Sequence, residues 1–154
     1  MSKEQIPGNL SENDFFGEVK QIVVTAKSQA FTAINKAMVQ AYWLIGQRIV
    51  EQEQNGKAKA EYGSYLVKDL STKLSQEFGA GFSERNIKYF RQFYLEFPDL
   101  GTGHTLSAQL SWSHFKQLIS LKEPLEREFY AQMCGVEGWS VRELSKRIDS
   151  MLYQ

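Results

Sequence analysis

Arg85, Asn86, Lys88, Tyr89 and Gln92 are the residues in this chain best suited to a chemistry. On a helix, Arg85, Lys88, Tyr89 and Gln92 fall at neighbour spacings of three and four, with Asn86 near the helix start. A guanidinium can bond guanine bidentately, and a side-chain amide can bond adenine bidentately. A recognition helix meets base edges with its N-terminal residues. Lys57, Lys59 and Lys73 add cations of the kind that grip phosphates and fix register without reading sequence. A plainer reading stands beside this one. Any amphipathic helix has a polar face, and two packed helices joined by a tight turn need no ligand.

Other candidate chemistry is weaker. His104 and His114 lack the spacing of two ligands on one helical face, and no cysteine pair or nearby acid completes a metal site. Loop or capping roles suit both. Cys134 reads as a small buried residue rather than a nucleophile. Gly101-Thr102-Gly103 lacks the further glycines and lysine of a phosphate loop. Trp43, Trp112 and Trp139 read as core or inter-helix anchors, and Glu126, Arg127 and Glu128 as a solvated helix face. No catalytic residue, metal site or cofactor is expected.

The elements that position the polar cluster follow from hydrophobic period and punctuation. Leu66, Val67, Leu70, Leu74 and Phe78 mark one helical face, which Gly79-Ala80-Gly81 ends. Ser83 is a good N-cap for a second helix, which runs to Phe97 because Pro98 disfavours continuation. The segment Leu70–Phe97 therefore has the outline of a helix-turn-helix. Upstream, Ser11 can cap a long helix that reaches about Gln54, with steps of three and four from Phe15 to Ile49 and a possible break near Thr25–Ser28. Residues 1–10 read as a flexible leader, and 11–154 as a single helical domain. Pro98–Thr105 is the clearest loop and the internal boundary candidate. Downstream, Ser111 or Ser113 can start a short helix. Pro124 sits at a first helical position, with Leu125, Phe129, Met133 and Val136 expected inward. Ser140-Val-Arg-Glu143 matches a capping box, opening a last helix that presents Val141, Leu144, Ile148, Met151 and Leu152.

The composition, 42% hydrophobic and 23% charged, suits an ordinary folded, soluble protein, and 154 residues can bury a core without staples. Formal net charge is zero, which argues against binding nucleic acid by bulk charge and leaves room for a local basic patch. Lys57–Phe97 carries seven bases against five acids, and Glu123–Glu137 four acids against one base. A single cysteine allows no intrachain disulfide and fits a reducing compartment. No stretch approaches the roughly 20 apolar residues that span a bilayer. A cytoplasmic protein without a membrane partner is expected.

Several separated motifs, in order, resemble the N-terminal domain of the YhcG family of bacterial proteins. They are AYWLIGQRIVEQEQNG, then YGSYLVKDLSTKLSQEFGAGFSERNIKYFRQFY, then LSWSHFKQLISLKEPLEREFYAQM and GWSVRELSKRI. The likeness covers about Asp14 to Tyr153. In that family this domain usually precedes a nuclease domain of the PD-(D/E)xK type. The resemblance implies a helical DNA-binding, targeting or assembly domain attached to a nuclease. Leu110–His114 and Trp139–Glu143 fit clasps between helices as well as sites. The carboxylates and lysine of such a nuclease are not here: Pro98-Asp99 is the sole Pro-Asp pair, and no acid after it is followed two residues later by lysine. Glu18-Val19-Lys20 lies upstream on the long helix.

The expectation is an all-α fold with a helix-turn-helix or winged-helix-like centre and a long N-terminal helix. This chain alone is expected to bind DNA and not to cut it, its nuclease domain belonging to the full-length family protein. The alternative is a protein-interaction module, with a homodimer formed through the long helix.

Overall fold

Serine side chains cap three of the helices at their N-termini, at Ser83, Ser111 and Ser140. The computed structural model describes residues 2–55, 60–102 and 110–150. Among these are six α-helices, α1 (Ser2–Asn55), α2 (Ala60–Phe78), α3 (Glu84–Glu96), α4 (Trp112–Ile119), α5 (Pro124–Glu137) and α6 (Val141–Asp149), with a short 3-10 helix at Pro98–Thr102. The fold is all-α with a long N-terminal helix. No strand occurs among the described residues, so the winged variant of the centre finds no wing there.

The chain divides into two compact units, Met1–Asn35 and Lys36–Gln154. The first is the leading stretch of α1. Its backbone is already helical at Ser2, upstream of the start expected at Ser11, and no break occurs at Thr25–Ser28. Every side chain from Glu12 to Ile34 is exposed.

The second unit holds the core. Val39 and Trp43 pack with Phe93, Phe115, Leu118, Tyr130, Cys134 and Leu144, and a second cluster joins Ile49 and Val67 to Ile87 and Phe90. Helix α3 packs against α2 and α4, while α4 also packs against α5 and α6. The Tyr42 ring stacks on Phe90 at 4.4 Å between centroids, and Trp112 tilts against Tyr42, Phe90 and Phe93. Trp43 donates its indole N–H to the Phe97 carbonyl at 2.9 Å. Trp43 and Trp139 are buried and Trp112 is half-buried, so all three tryptophans serve as anchors.

Three expectations for the C-terminal helices need correction. Leu125 and Val136 are 70% and 74% exposed. The buried face of α5 is instead Arg127, Tyr130, Ala131 and Cys134, with Phe129 and Met133 packed at its edge. Arg127 is 6% exposed and is no part of a solvated face. Its Nη2 pairs with Glu96 at 2.5 Å and donates to the Leu121 carbonyl at 2.9 Å, which makes burial of a guanidinium tolerable. The third correction concerns capping. Ser140 accepts from the Glu143 N–H, but the Glu143 carboxylate pairs with Arg147 at 2.6 Å, so half of the expected box forms.

The complete capping box lies at Ser111 and His114. Ser111 Oγ accepts the His114 N–H, and His114 Nδ1 accepts the Ser111 N–H at 3.0 Å. An imidazole that accepts at Nδ1 carries its proton on Nε2. His114 Nε2 then donates to the Trp139 carbonyl at 2.8 Å. Leu110–His114 and Trp139–Glu143, the two motifs that read as clasps, are thus fastened by one buried histidine.

Candidate nucleic-acid interface

The turn between α2 and α3 is tied from both sides. Gly79 and Gly81 take φ of 81° and 105°, a region costly for any side chain with a Cβ. From α2, Ser71 Oγ donates to the Phe82 carbonyl at 2.7 Å. From α3, Asn86 Nδ2 donates to the Gly81 carbonyl at 3.2 Å, while Ser83 Oγ caps the helix by accepting the Asn86 N–H. Ile87, Phe90 and Phe93 are fully buried, which fixes the rotation of α3 and turns Arg85, Lys88 and Gln92 to solvent.

Tyr89 is half-buried between two cations. The Arg85 guanidinium lies 5.9 Å from its ring centroid and the Lys116 ammonium, from α4, lies 5.4 Å away. Such cation–π contacts hold long side chains in place without neutralising them. Lys116 joins the cluster only through the packing of α4 on α3, and 27 residues of chain separate it from Tyr89. The one hint in the sequence is its place on the polar side of α4, opposite Phe115, Leu118 and Ile119.

The other predicted residues fare differently. Asn86 is part of the turn: one of its amide hydrogens is committed to Gly81, so bidentate bonding to adenine would compete with the bond that closes the turn. Lys73 is paired with Asp69 at 3.0 Å. That hydrogen bond, then the charge of the carboxylate, raises the Lys73 ammonium above its ordinary lysine range. Lys57, Lys59 and His104 lie outside the described residues.

Charge pairing separates the cations of this domain into two sets. Arg48, Lys73, Arg91, Arg127 and Arg147 each meet a carboxylate. Arg91 does so most fully: its Nε lies 2.9 and 2.8 Å from the two oxygens of the buried Glu53 carboxylate, clamping α3 to α1. Arg85, Lys88 and Lys116 meet none among the described residues, and neither do Lys36, Lys68, Lys122, Arg142 and Lys146; what sets Arg85 and Lys116 apart is their convergence on the Tyr89 ring.

Among the described residues, nothing comparable favours an active site. A cleft of about 230 Å³ is lined by Glu96, Asp99, Arg127 and Glu128. Its one guanidinium is already paired, so the cleft repels phosphate. No cluster of three histidines, cysteines or carboxylates that could hold a metal ion occurs among the described residues. Burial pushes the Cys134 thiol up to about 11. The thiolate is the nucleophile, and Cys134 is 2% exposed. Maleimide at pH 7 is therefore expected to leave the native protein unmodified and to label it completely once urea has unfolded it. Rapid labelling of the native state would show that the thiol is accessible. No helix of the described residues is long and apolar enough to cross a membrane.

Comparison with known proteins agrees with the motifs. Residues 18–154 match the family described as the DUF1016 N-terminal domain. The protein named "Putative nuclease YhcG" from Escherichia coli (strain K12) is 33% identical over 162 residues, covering 86% of this chain. The chain spans 43% of that relative's length, less than half. No solved structure matches significantly. The chain belongs to the DUF1016 N-terminal domain family, of the YhcG type that its motifs resemble.

Proposed function

We propose that this domain binds duplex DNA through the outer face of α3 and so targets or assembles a nuclease of the YhcG type, with α2 and α3 acting as the helix-turn-helix. The observation that carries the proposal is the convergence of Arg85 and Lys116, neither paired with a carboxylate among the described residues, on the Tyr89 ring, with exposed Lys88 and Gln92 on the same helix. Leaving three cations without carboxylates on one face suits a polyanionic partner. Arg85 and Gln92 are the base-edge candidates, and Lys88 and Lys116 the phosphate candidates. Lys73 is weaker because Asp69 already holds it, and Asn86 acts by shaping the turn. Exposed Glu84 at the helix start narrows the face and makes affinity modest. The name of the Escherichia coli relative supports the nuclease association. Cutting is assigned to a separate nuclease domain, and the protein works in the cytoplasm.

Fluorescence anisotropy with a labelled duplex over a salt series tests the reading. Affinity is expected to fall linearly with salt on logarithmic axes. Arg85→Ala with Lys88→Ala should weaken binding at least about tenfold and flatten the slope by roughly 1.8. Absence of binding at low salt, or a slope untouched by the double variant, removes the proposal. Incubation with magnesium or manganese is expected to leave the duplex uncut, and cleavage would assign catalysis to this chain.

A second reading, a module that joins protein chains, is favoured by the large apolar side chains exposed along residues 15–34 of α1.

A further inference from the structure

We infer that the leading stretch of α1 is a dimerisation strip that pairs with the same stretch of a second copy, antiparallel. The inference rests on the reading of this domain as a module that joins protein chains. It starts from exposure. Phe15, Phe16 and Ile22 are 66%, 66% and 68% exposed, and Val19, Val23 and Ile34 add to them. Counting roughly 200 Å² for an aromatic side chain, these six residues leave on the order of 600 Å² of apolar surface in water. Monomers rarely expose that much in one patch. With the intervening alanines and the helix surface, the strip approaches the roughly 800 Å² per partner of a standard interface.

The spacing identifies the partner. Phe16, Val19, Val23, Ala26, Ala30 and Ala33 follow steps of three and four, the seam of a two-stranded coiled coil. All the large residues lie in the first half of this seam and all the alanines in the second. A parallel pair would stack Phe16 on Phe16 and leave three layers of alanine alone. An antiparallel pair sets Phe16 against Ala33, Val19 against Ala30 and Val23 against Ala26. Each of the six layers then holds one large and one small side chain, which is how facing positions interdigitate. The sequence of the strip thus complements its own reverse.

Lys20 and Lys27 flank the seam on one side and come alongside each other in this register. Each such exposed like-charge pair weakens association about twofold, much less than the difference between filled and empty layers. Salt screens that repulsion, so dimerisation should hold or tighten as salt rises, opposite to DNA binding.

Sedimentation equilibrium of the full chain tests the proposal, followed by oxidative cross-linking of cysteine variants. Cys134 is buried and stays silent in the folded protein. A dimer is expected, weakened at least tenfold by Val19→Glu with Val23→Glu, changes at exposed positions that leave the circular dichroism of the folded chain intact. Phe16→Cys and Ala33→Cys chains, mixed, should form a heterodisulfide, whereas Phe16→Cys alone should not cross-link. A dimer in which Phe16→Cys joins to itself overturns the antiparallel pairing while leaving chain joining in place. A monomer at every concentration and salt overturns the dimer altogether.

Discussion

Replacing Gly46 with alanine is expected to destabilise the domain by about 3 kcal/mol or more, lowering the thermal midpoint by roughly 10 °C. A Cβ built at Gly46 would sit 2.0 Å from the Phe90 carbonyl oxygen, 2.8 Å from its carbonyl carbon and 3.1 Å from the Tyr94 Cβ. The first two obstacles are backbone atoms of α3, which no rotamer change removes. Relief requires α3 to move off α1, opening the Tyr42–Phe90 stack and pulling at the Glu53–Arg91 clamp. DNA affinity should fall in the same variant, because the displaced helix carries Arg85 and Lys88. Gly17, in the same helix, supplies the control. A Cβ there meets nothing within 4 Å. Gly17→Ala should stabilise the helix by about 0.5–1 kcal/mol through the lower entropy of alanine in the unfolded chain. Thermal unfolding of the two variants should therefore shift in opposite directions. Equal shifts would show that the close approach of α1 and α3 is not what selects glycine at position 46.

Glu96→Ala is expected to cost about 3 kcal/mol, toward the lower end for breaking a buried ion pair because Glu96 keeps some exposure. The loss comes less from the attraction removed than from the guanidinium left behind. Arg127 is buried, and its Nε already has no hydrogen-bond partner among the described residues. Without Glu96 it retains the Leu121 carbonyl, with Asp99 and Glu128 as the carboxylates that still line the cleft. Arg127→Met in the Glu96→Ala background should recover most of the stability, since an apolar side chain of similar length leaves no charge to desolvate. Urea unfolding of the single and double variants measures both steps. The exposed Arg48–Glu51 pair offers the contrast: Glu51→Ala should stay within about 0.5 kcal/mol. If Glu96→Ala were as mild, the pair would be a surface bridge in its energetics despite the burial of Arg127.

The parts of this fold legible in the sequence are those decided locally. Ser83, Ser111 and Ser140 cap helices through bonds to backbone three residues away, Pro124 sits at a helix start, and Gly138 ends α5 with φ of 68°. Those devices depend on neighbours along the chain, so their pattern is visible there. The orientation of α5 was not legible. Leu125 and Val136 are as apolar as any core residue, yet the buried face belongs to Arg127 because Glu96, thirty-one residues earlier, waits to pair with it. The candidate site divides in the same way. The α3 residues lie at helical spacing and could be read together. Lys116 could not be placed beside Tyr89, since no spacing rule links one helix to another across a core. Asn86 was legible as a polar residue at a helix start, but not its bond to the Gly81 carbonyl.

The histidine clasp has a consequence for how the chain assembles. His114 to Trp139 closes a loop of 25 residues, and the Gln117 side chain reaches the Val141 carbonyl across 24. The bonds that bring α1 to α3 span much more: 38 residues for Glu53 to Arg91 and 54 for Trp43 to Phe97. Closure entropy rises with separation, so α4, α5 and α6 can settle as one cooperative unit before the α1–α3 contact forms. Phe93 meets Phe115 across 22 residues, so α3 joins that unit early, the platform of Tyr89 and Lys116 with it, and α1 is the piece that arrives last.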